Sequence, residues 1–125
     1  MIGYVTIGAL DLDKAVAFYD AVFATIGGER KSFDGTWGFY GPKDGEGNVG
    51  ICKPQDGQPA RGGNGIMIAF KAPSQDAVRA THAAALANGG TDEGAPGFRP
   101  PDGTAFYGAY ARDPTGNKFC VFHAG

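Results

Sequence analysis

The chain has only two cysteines and two histidines among its 125 residues. Cys52 and Cys120 do not form a zinc-type pair in sequence, and so few thiols fit a reducing compartment better than a disulfide-stapled scaffold. Long apolar runs are also missing: residues 66–70 form the longest, far too short to cross a bilayer. Met1-Ile2-Gly3-Tyr4 lacks the basic start with an apolar run behind it that marks a secretory leader, so a cytoplasmic location is expected. Charge of one sign is lacking too. Eleven Lys and Arg against thirteen Asp and Glu leave a formal net charge of -2, and the cations are scattered. This argues against a nucleic-acid surface and against an anionic membrane partner. The expected partner is a small molecule.

Glycine is abundant, at 22 residues, more than double the typical share of about 7%. It falls between short apolar runs, which favours short strands joined by tight turns. A chain of this length is most simply one domain, spanning 1–125, and is large enough to bury a core without staples.

Residues 2–8 read as a strand, and Asp11 sits where a helix N-cap belongs. Leu12, Val16, Tyr19, Val22, Phe23 and Ile26 then recur at helical spacing, with Phe18 broadening the face, until Gly27-Gly28 stops the run. Three short extended segments follow, near 29–33, 36–40 and 48–53, punctuated by Asp34-Gly35 and Lys43-Asp44-Gly45. The order then restarts. After a Gly- and Pro-rich stretch, residues 66–71 read as a strand and Ser74 as the second N-cap. Val78, Thr81, His82, Ala85 and Leu86 share one helix face, and Gly89-Gly90 is the second stop. A weakly defined return strand, then 105–111, the Asp113-Pro114-Thr115-Gly116-Asn117 turn and 118–123 complete the second half. The chain thus reads as α+β: two βαβββ modules, about 1–54 and 65–125, joined by a linker of about 55–64. Each module has a curved sheet that cannot enclose a core alone, so the two should pack into a cupped mixed sheet with helices on the outside.

The repeat, the helix start from Asp11 to Tyr19 and the Asp-Pro-Thr-Gly-Asn ending together resemble the vicinal oxygen chelate superfamily, which includes glyoxalase I, extradiol dioxygenases and bleomycin-binding resistance proteins. Gly89-Gly90 through Gly94-Ala95-Pro96-Gly97 to Tyr110 looks most like its small glyoxalase-like members. In the metal-dependent members, four side chains from equivalent strands, usually His and Glu, hold a divalent ion. Carried over, those positions fall at Tyr4, Met67, Cys120 and near Cys52. Phenol, thioether and thiol are a poor donor set for nickel, manganese or iron. No usual metal site and no cofactor are therefore expected. The alternative is a softer ion, zinc or copper(I), held by Cys52 and Cys120, or joint oxidation of the two thiols. Two buried structural cysteines is the simpler reading.

Neither histidine restores the set. His82 lies between apolar helix positions, as a core-edge residue would, and His123 is three residues past Cys120, which puts it on the opposite sheet face. Gly45-Glu46-Gly47-Asn48-Val49-Gly50 has the G-x-G-x-x-G spacing but leads into a strand, so it lacks the helix N-terminus that phosphate binding needs. What remains for a pocket is aromatic: Trp37, Phe39, Tyr40, Phe106, Tyr107 and Tyr110, of which alternation lets about half face inward, with Arg99 placed to meet an anionic group or to pair with Asp102. The candidate ligand-binding residues are Tyr4, Trp37, Cys52, Met67, Arg99, Tyr107 and Cys120. The expected function is a glyoxalase-like domain that binds a small, partly apolar molecule in the cup. The alternative is a lyase or dioxygenase-like enzyme with an atypical metal or thiol site. The resemblance also implies a homodimer.

Overall fold

Asp11 turns the chain from its first strand into its first helix, its carboxylate accepting from the Lys14 amide at 3.1 Å; Ser74 repeats the device, accepting from the Ala77 amide at 3.0 Å. In this computed structural model, which describes all 125 residues, the first half comprises β1 (Val5–Gly8), α1 (Leu12–Ala24), β2 (Gly28–Phe33), β3 (Trp37–Pro42) and β4 (Val49–Cys52). The second comprises β5 (Ile68–Lys71), α2 (Gln75–Ala87), β6 (Thr91–Phe98), β7 (Phe106–Arg112) and β8 (Lys118–Ala124). This is βαβββ twice, an α+β fold of two four-stranded mixed sheets, ordered β1-β4-β3-β2 and β5-β8-β7-β6. In each sheet the first and last strands pair in parallel and the other pairs are antiparallel.

Several details differ from the sequence reading. β1 and β5 begin at Val5 and Ile68, so Tyr4 and Met67 stand just outside the strands. β6, read as weakly defined, is eight residues long, the longest strand. Its irregularity lies in the pairing: the register shifts between Asp92 and Gly94 and again between Gly94 and Gly97, which lets a strand interrupted by Pro96 persist. Leu86, assigned to the buried face of the second helix, is exposed.

The core explains how two thin modules share one interior. α1 buries Leu12, Ala15, Val16, Phe18, Tyr19, Val22 and Phe23 on one broad face, while Asp13, Lys14, Ala17 and Ala24 face solvent. It packs with Ile7, Tyr40, Val49 and Ile51 of the first sheet. Phe18 and Phe23 reach Phe119 and Phe70 of the second, with ring centroids 6.1 and 5.0 Å apart. α2 packs Val78 with Ala72, Tyr107, Ala109 and Val121 of its own sheet. Because side chains alternate along a strand, the opposite face of each sheet points away from the helices; these two faces are the cup faces.

One buried carboxylate joins the halves. Asp113 Oδ1 accepts from the amides of Thr115, Gly116 and Asn117 at 3.0, 2.9 and 2.9 Å, which shapes the β7–β8 turn. Its Oδ2 accepts from the Tyr19 hydroxyl of α1 at 2.7 Å and from Asn117 Nδ2 at 2.9 Å. Asn117 Nδ2 also reaches the Gly8 carbonyl at the end of β1, at 2.8 Å. Burial, then the adjacent carboxylate, pushes the Tyr19 phenol well above its ordinary value, so it stays a donor. Asp113→Ala should cost about 3 kcal/mol or more by stranding these donors, and Tyr19→Phe about 1.5 kcal/mol, both read from urea unfolding.

Candidate functional site

The cup face of the first sheet is a wall of aromatic rings. Tyr40 points to α1, its hydroxyl donating to the Val16 carbonyl at 3.0 Å and to Asp20 Oδ1 at 2.8 Å, so its neighbour Phe39 and Trp37 two residues earlier point to the cup. Trp37 and Phe39 stack with centroids 5.6 Å apart and planes 10° from parallel, and Tyr4 meets Phe39 edge-on at 5.9 Å. Gly50 lies beneath them. A Cβ there would come within 3.0 Å of the Trp37 ring, so the missing side chain is what lets the rings lie flat. Asp34 fixes the turn that delivers Trp37: its Oδ1 accepts from the Thr36 amide and hydroxyl and from the Trp37 amide at 2.7–2.8 Å, lowering its carboxyl to about 2. Tyr4 and Trp37 are 59% and 37% exposed.

The cup face of the second sheet is basic. Tyr110 pairs with Cys120 across β7 and β8, and its ring is flanked by Arg99, whose guanidinium carbon is 5.5 Å from the ring centroid, and by Lys118 Nζ at 5.6 Å. Arg99 is held by the carbonyls of Ala95 at 2.7 Å and Phe98 at 3.3 Å and makes no ion pair with Asp102 or any other acid. Arg112, directly opposite Lys118, pairs with Glu93. Phe106 and Phe122 stack at 5.1 Å farther along the same face. Met67, 43% exposed, lines a hollow with Arg112 and Lys118.

Tyr107 is a correction. It points to the helix side, where it is buried, donates its packing to α2 and accepts from Arg79 Nη1 at 2.9 Å. It is three residues from Tyr110, so alternation cannot put both in the cup. His82 bonds Asp92 at 2.9 Å beside α2, and His123 Nδ1 meets the Ala72 carbonyl at 3.1 Å, so neither belongs to the cup faces.

Cys52 and Cys120 both lie on cup faces, one in each sheet, and both are buried free thiols. They are not equivalent positions. Thr6 and Ala69 each precede their helix cap by five residues; Thr6 pairs with Gly50 and Ala69 with Cys120, so Gly50 is the counterpart of Cys120 and Phe122 that of Cys52. Burial pushes both thiols above their ordinary value; at Cys120, Tyr110, Arg99 and Lys118 offset part of the rise. A metal-binding thiol must first become a thiolate, which burial opposes. No three His, Cys, Asp or Glu side chains converge anywhere. Phenol, thioether and two neutral thiols do not fit a nickel, manganese or iron site.

The Glyoxalase/Bleomycin resistance protein/Dioxygenase superfamily profile matches residues 1–121. The chain belongs to this superfamily. Among solved structures, a glyoxalase/bleomycin resistance protein from Albidiferax ferrireducens T118 is 42% identical, with a TM-score of 0.86 over 96% of each chain. A lactoylglutathione lyase from Agrobacterium tumefaciens is 25% identical, with a TM-score of 0.64 over 98% of this chain and 92% of that one. A glyoxalase-related enzyme from Fulvimarina pelagi, 20% identical with a TM-score of 0.76 over 98% and 87%, shares the fold. No curated protein matches the sequence.

For this superfamily member, the sequence reading missed Lys118 and Arg112. Both were accessible to it, because Lys118 is two residues from Cys120 and Arg112 two from Tyr110, and alternation puts each pair on one face. If both thiols are buried and neutral, a thiol-specific disulfide reagent at pH 7 should label neither in the folded protein and both in urea, as measured by released chromophore. The raised thiol values also set a sign: their contribution to stability is full below the unfolded value of about 9 and is lost as pH rises above it, so urea midpoints should fall in alkali.

Proposed function

We propose that this chain is a glyoxalase-like binding domain that holds a small, partly apolar organic molecule on its cup faces without the His and Glu metal set of the metal-dependent members. The observation that carries this reading is the exposed, stacked wall of Tyr4, Phe39 and Trp37 over Gly50. Large aromatic surface left facing solvent on a sheet costs stability, and here Asp34 and Gly50 shape the backbone to keep the rings flat and open. Flat rings suit a flat or apolar ligand. A lyase or dioxygenase reading would require Cys52 and Cys120 as thiolates, which their burial disfavours.

A homodimer belongs to the same reading. Ile66 and Met67 just before β5, and Tyr4 beside β1, are exposed next to unpaired sheet edges, and a second copy would cover them and close the cup. No helix is long and apolar enough to cross a membrane, and a cytoplasmic location accords with the two free thiols.

Trp37 is the sole tryptophan, so ligand on the first cup face reports directly in fluorescence. An aromatic ligand such as naphthalene-2-carboxamide should quench Trp37 saturably and lose about tenfold in affinity in Phe39→Ala, in keeping with the worth of one aromatic stacking partner. Protein purified without chelator should carry no stoichiometric metal. A stoichiometric ion that is lost in Cys120→Ala would overturn the metal-free reading in favour of the enzyme.

A further inference from the structure

The second cup face gathers Arg99, Lys118 and Arg112, the first two without counter-charges. Lys118 and Arg112 stand directly opposite each other on neighbouring strands, an arrangement that destabilises a sheet. Arg99 reaches the same patch from the end of β6, against the Tyr110 ring. Glu93 neutralises Arg112. Lys118 and Arg99 make no ion pair at all.

Their immobilisation is the second observation. Arg99 is not a surface side chain sampling solvent: two of its N–H groups are tied to the Ala95 and Phe98 carbonyls, and its guanidinium packs on Tyr110. The remaining donors keep a fixed direction, which is the preorganisation that carboxylate recognition by arginine exploits. Gly94 and Gly97 make room for it. A Cβ on Gly97 would come within 3.0 Å of Arg99 Nη1, and one on Gly94 within 3.3 Å of Nη2 and 3.0 Å of the Tyr110 ring. The glycine-rich bulges of β6 thus form the seat of the guanidinium. Lys118 is the second cation against the same ring, half-buried, with no hydrogen-bond acceptor on its ammonium.

Along the same face, beyond Cys120, the surface turns apolar. Phe106 and Phe122 stack with planes 10° from parallel, and the Phe106 ring lies over Gly108, where a Cβ would meet it at 2.8 Å. From Lys118 to Phe122 is four residues of strand, about 13 Å. Lys71, exposed on β5 beside Phe122, adds a further positive charge at the edge.

We infer that the second cup face recognises an organic acid: a small molecule whose carboxylate lies between Arg99 and Lys118 and whose apolar body extends over the Phe106–Phe122 pair. This rests on the small-molecule reading above and narrows it to an anionic ligand class. A bound carboxylate would also offset the repulsion between Lys118 and Arg112 across β7 and β8.

The test compares two probes of the same shape by titration calorimetry, naphthalene-2-carboxylate and its uncharged amide, naphthalene-2-carboxamide. The carboxylate should bind at least about tenfold more tightly, as one charge-assisted pair supplies. That advantage should vanish in both Arg99→Met and Lys118→Met, which keep the apolar stems and are confirmed as folded by their melting transitions, and should shrink as salt rises from about 50 to 300 mM. Amide binding should be insensitive to salt. Equal affinity for both probes would overturn the anionic assignment while leaving the aromatic cup standing. An advantage that persists in both variants would overturn the assignment to these residues. Failure of both probes to bind would sink the small-molecule reading itself.

Discussion

The two halves of the molecule are held in register by the carboxylate of Asp113, which is buried and uses both oxygens fully. One oxygen shapes the β7–β8 turn by accepting three successive amides; the other accepts from the Tyr19 hydroxyl in the first module and from Asn117, which in turn holds the end of β1. Burying a charge is tolerable only when its acceptor sites are filled, and here five donors fill them. The turn residues that look like ordinary hairpin chemistry therefore serve as an inter-module clasp. Around it, α1 buries a broad apolar face because it must supply apolar surface to two sheets at once.

That arrangement decides where function can reside. With both helices spent on the shared core, the faces of the sheets that point away from them are free of structural duty, and their residues follow different rules. The first is aromatic and close to neutral, with the Glu29–Lys31 pair its balanced charge. The second is rich in cations. Glycine sets both surfaces, Gly50 under Trp37 on one and Gly94, Gly97 and Gly108 around Arg99, Tyr110 and Phe106 on the other. The same residue type that shortens the strands thus also clears space for large side chains to lie flat, and the high glycine content serves the cup as much as the turns.

Much of the fold was legible because its signals are local. Asp11 and Ser74 cap helices through their own side chains, the apolar positions of α1 recur at helical spacing, and both helices stop shortly before their glycine pairs, at Thr25 and Asn88. The β6 strand was not legible, since Pro96 and clustered glycines weaken every local strand signal, and its existence depends on pairing with β7. The site divides the same way. Strand alternation opposes His123 to Cys120, yet it could not say which aromatics face the cup, and Tyr107 was preferred to Tyr110 because parity is relative and its absolute sense comes from which neighbours pack on the helix. Cys52 and Cys120 illustrate a second limit: unequal loops in the two modules hide their true equivalence, which the strand register shows to be Cys120 with Gly50.

The sequence by itself determined the βαβββ repeat, the superfamily, and the absence of the usual His and Glu donors at the expected positions, because each of these is carried by residue type and spacing along the chain. Only the tertiary structure decided which face each aromatic occupies, that Asp113 binds a helix from the other module, and that Arg99, Lys118 and Tyr110 meet. Those facts depend on strand register and on packing between segments far apart in sequence, where no local preference reaches.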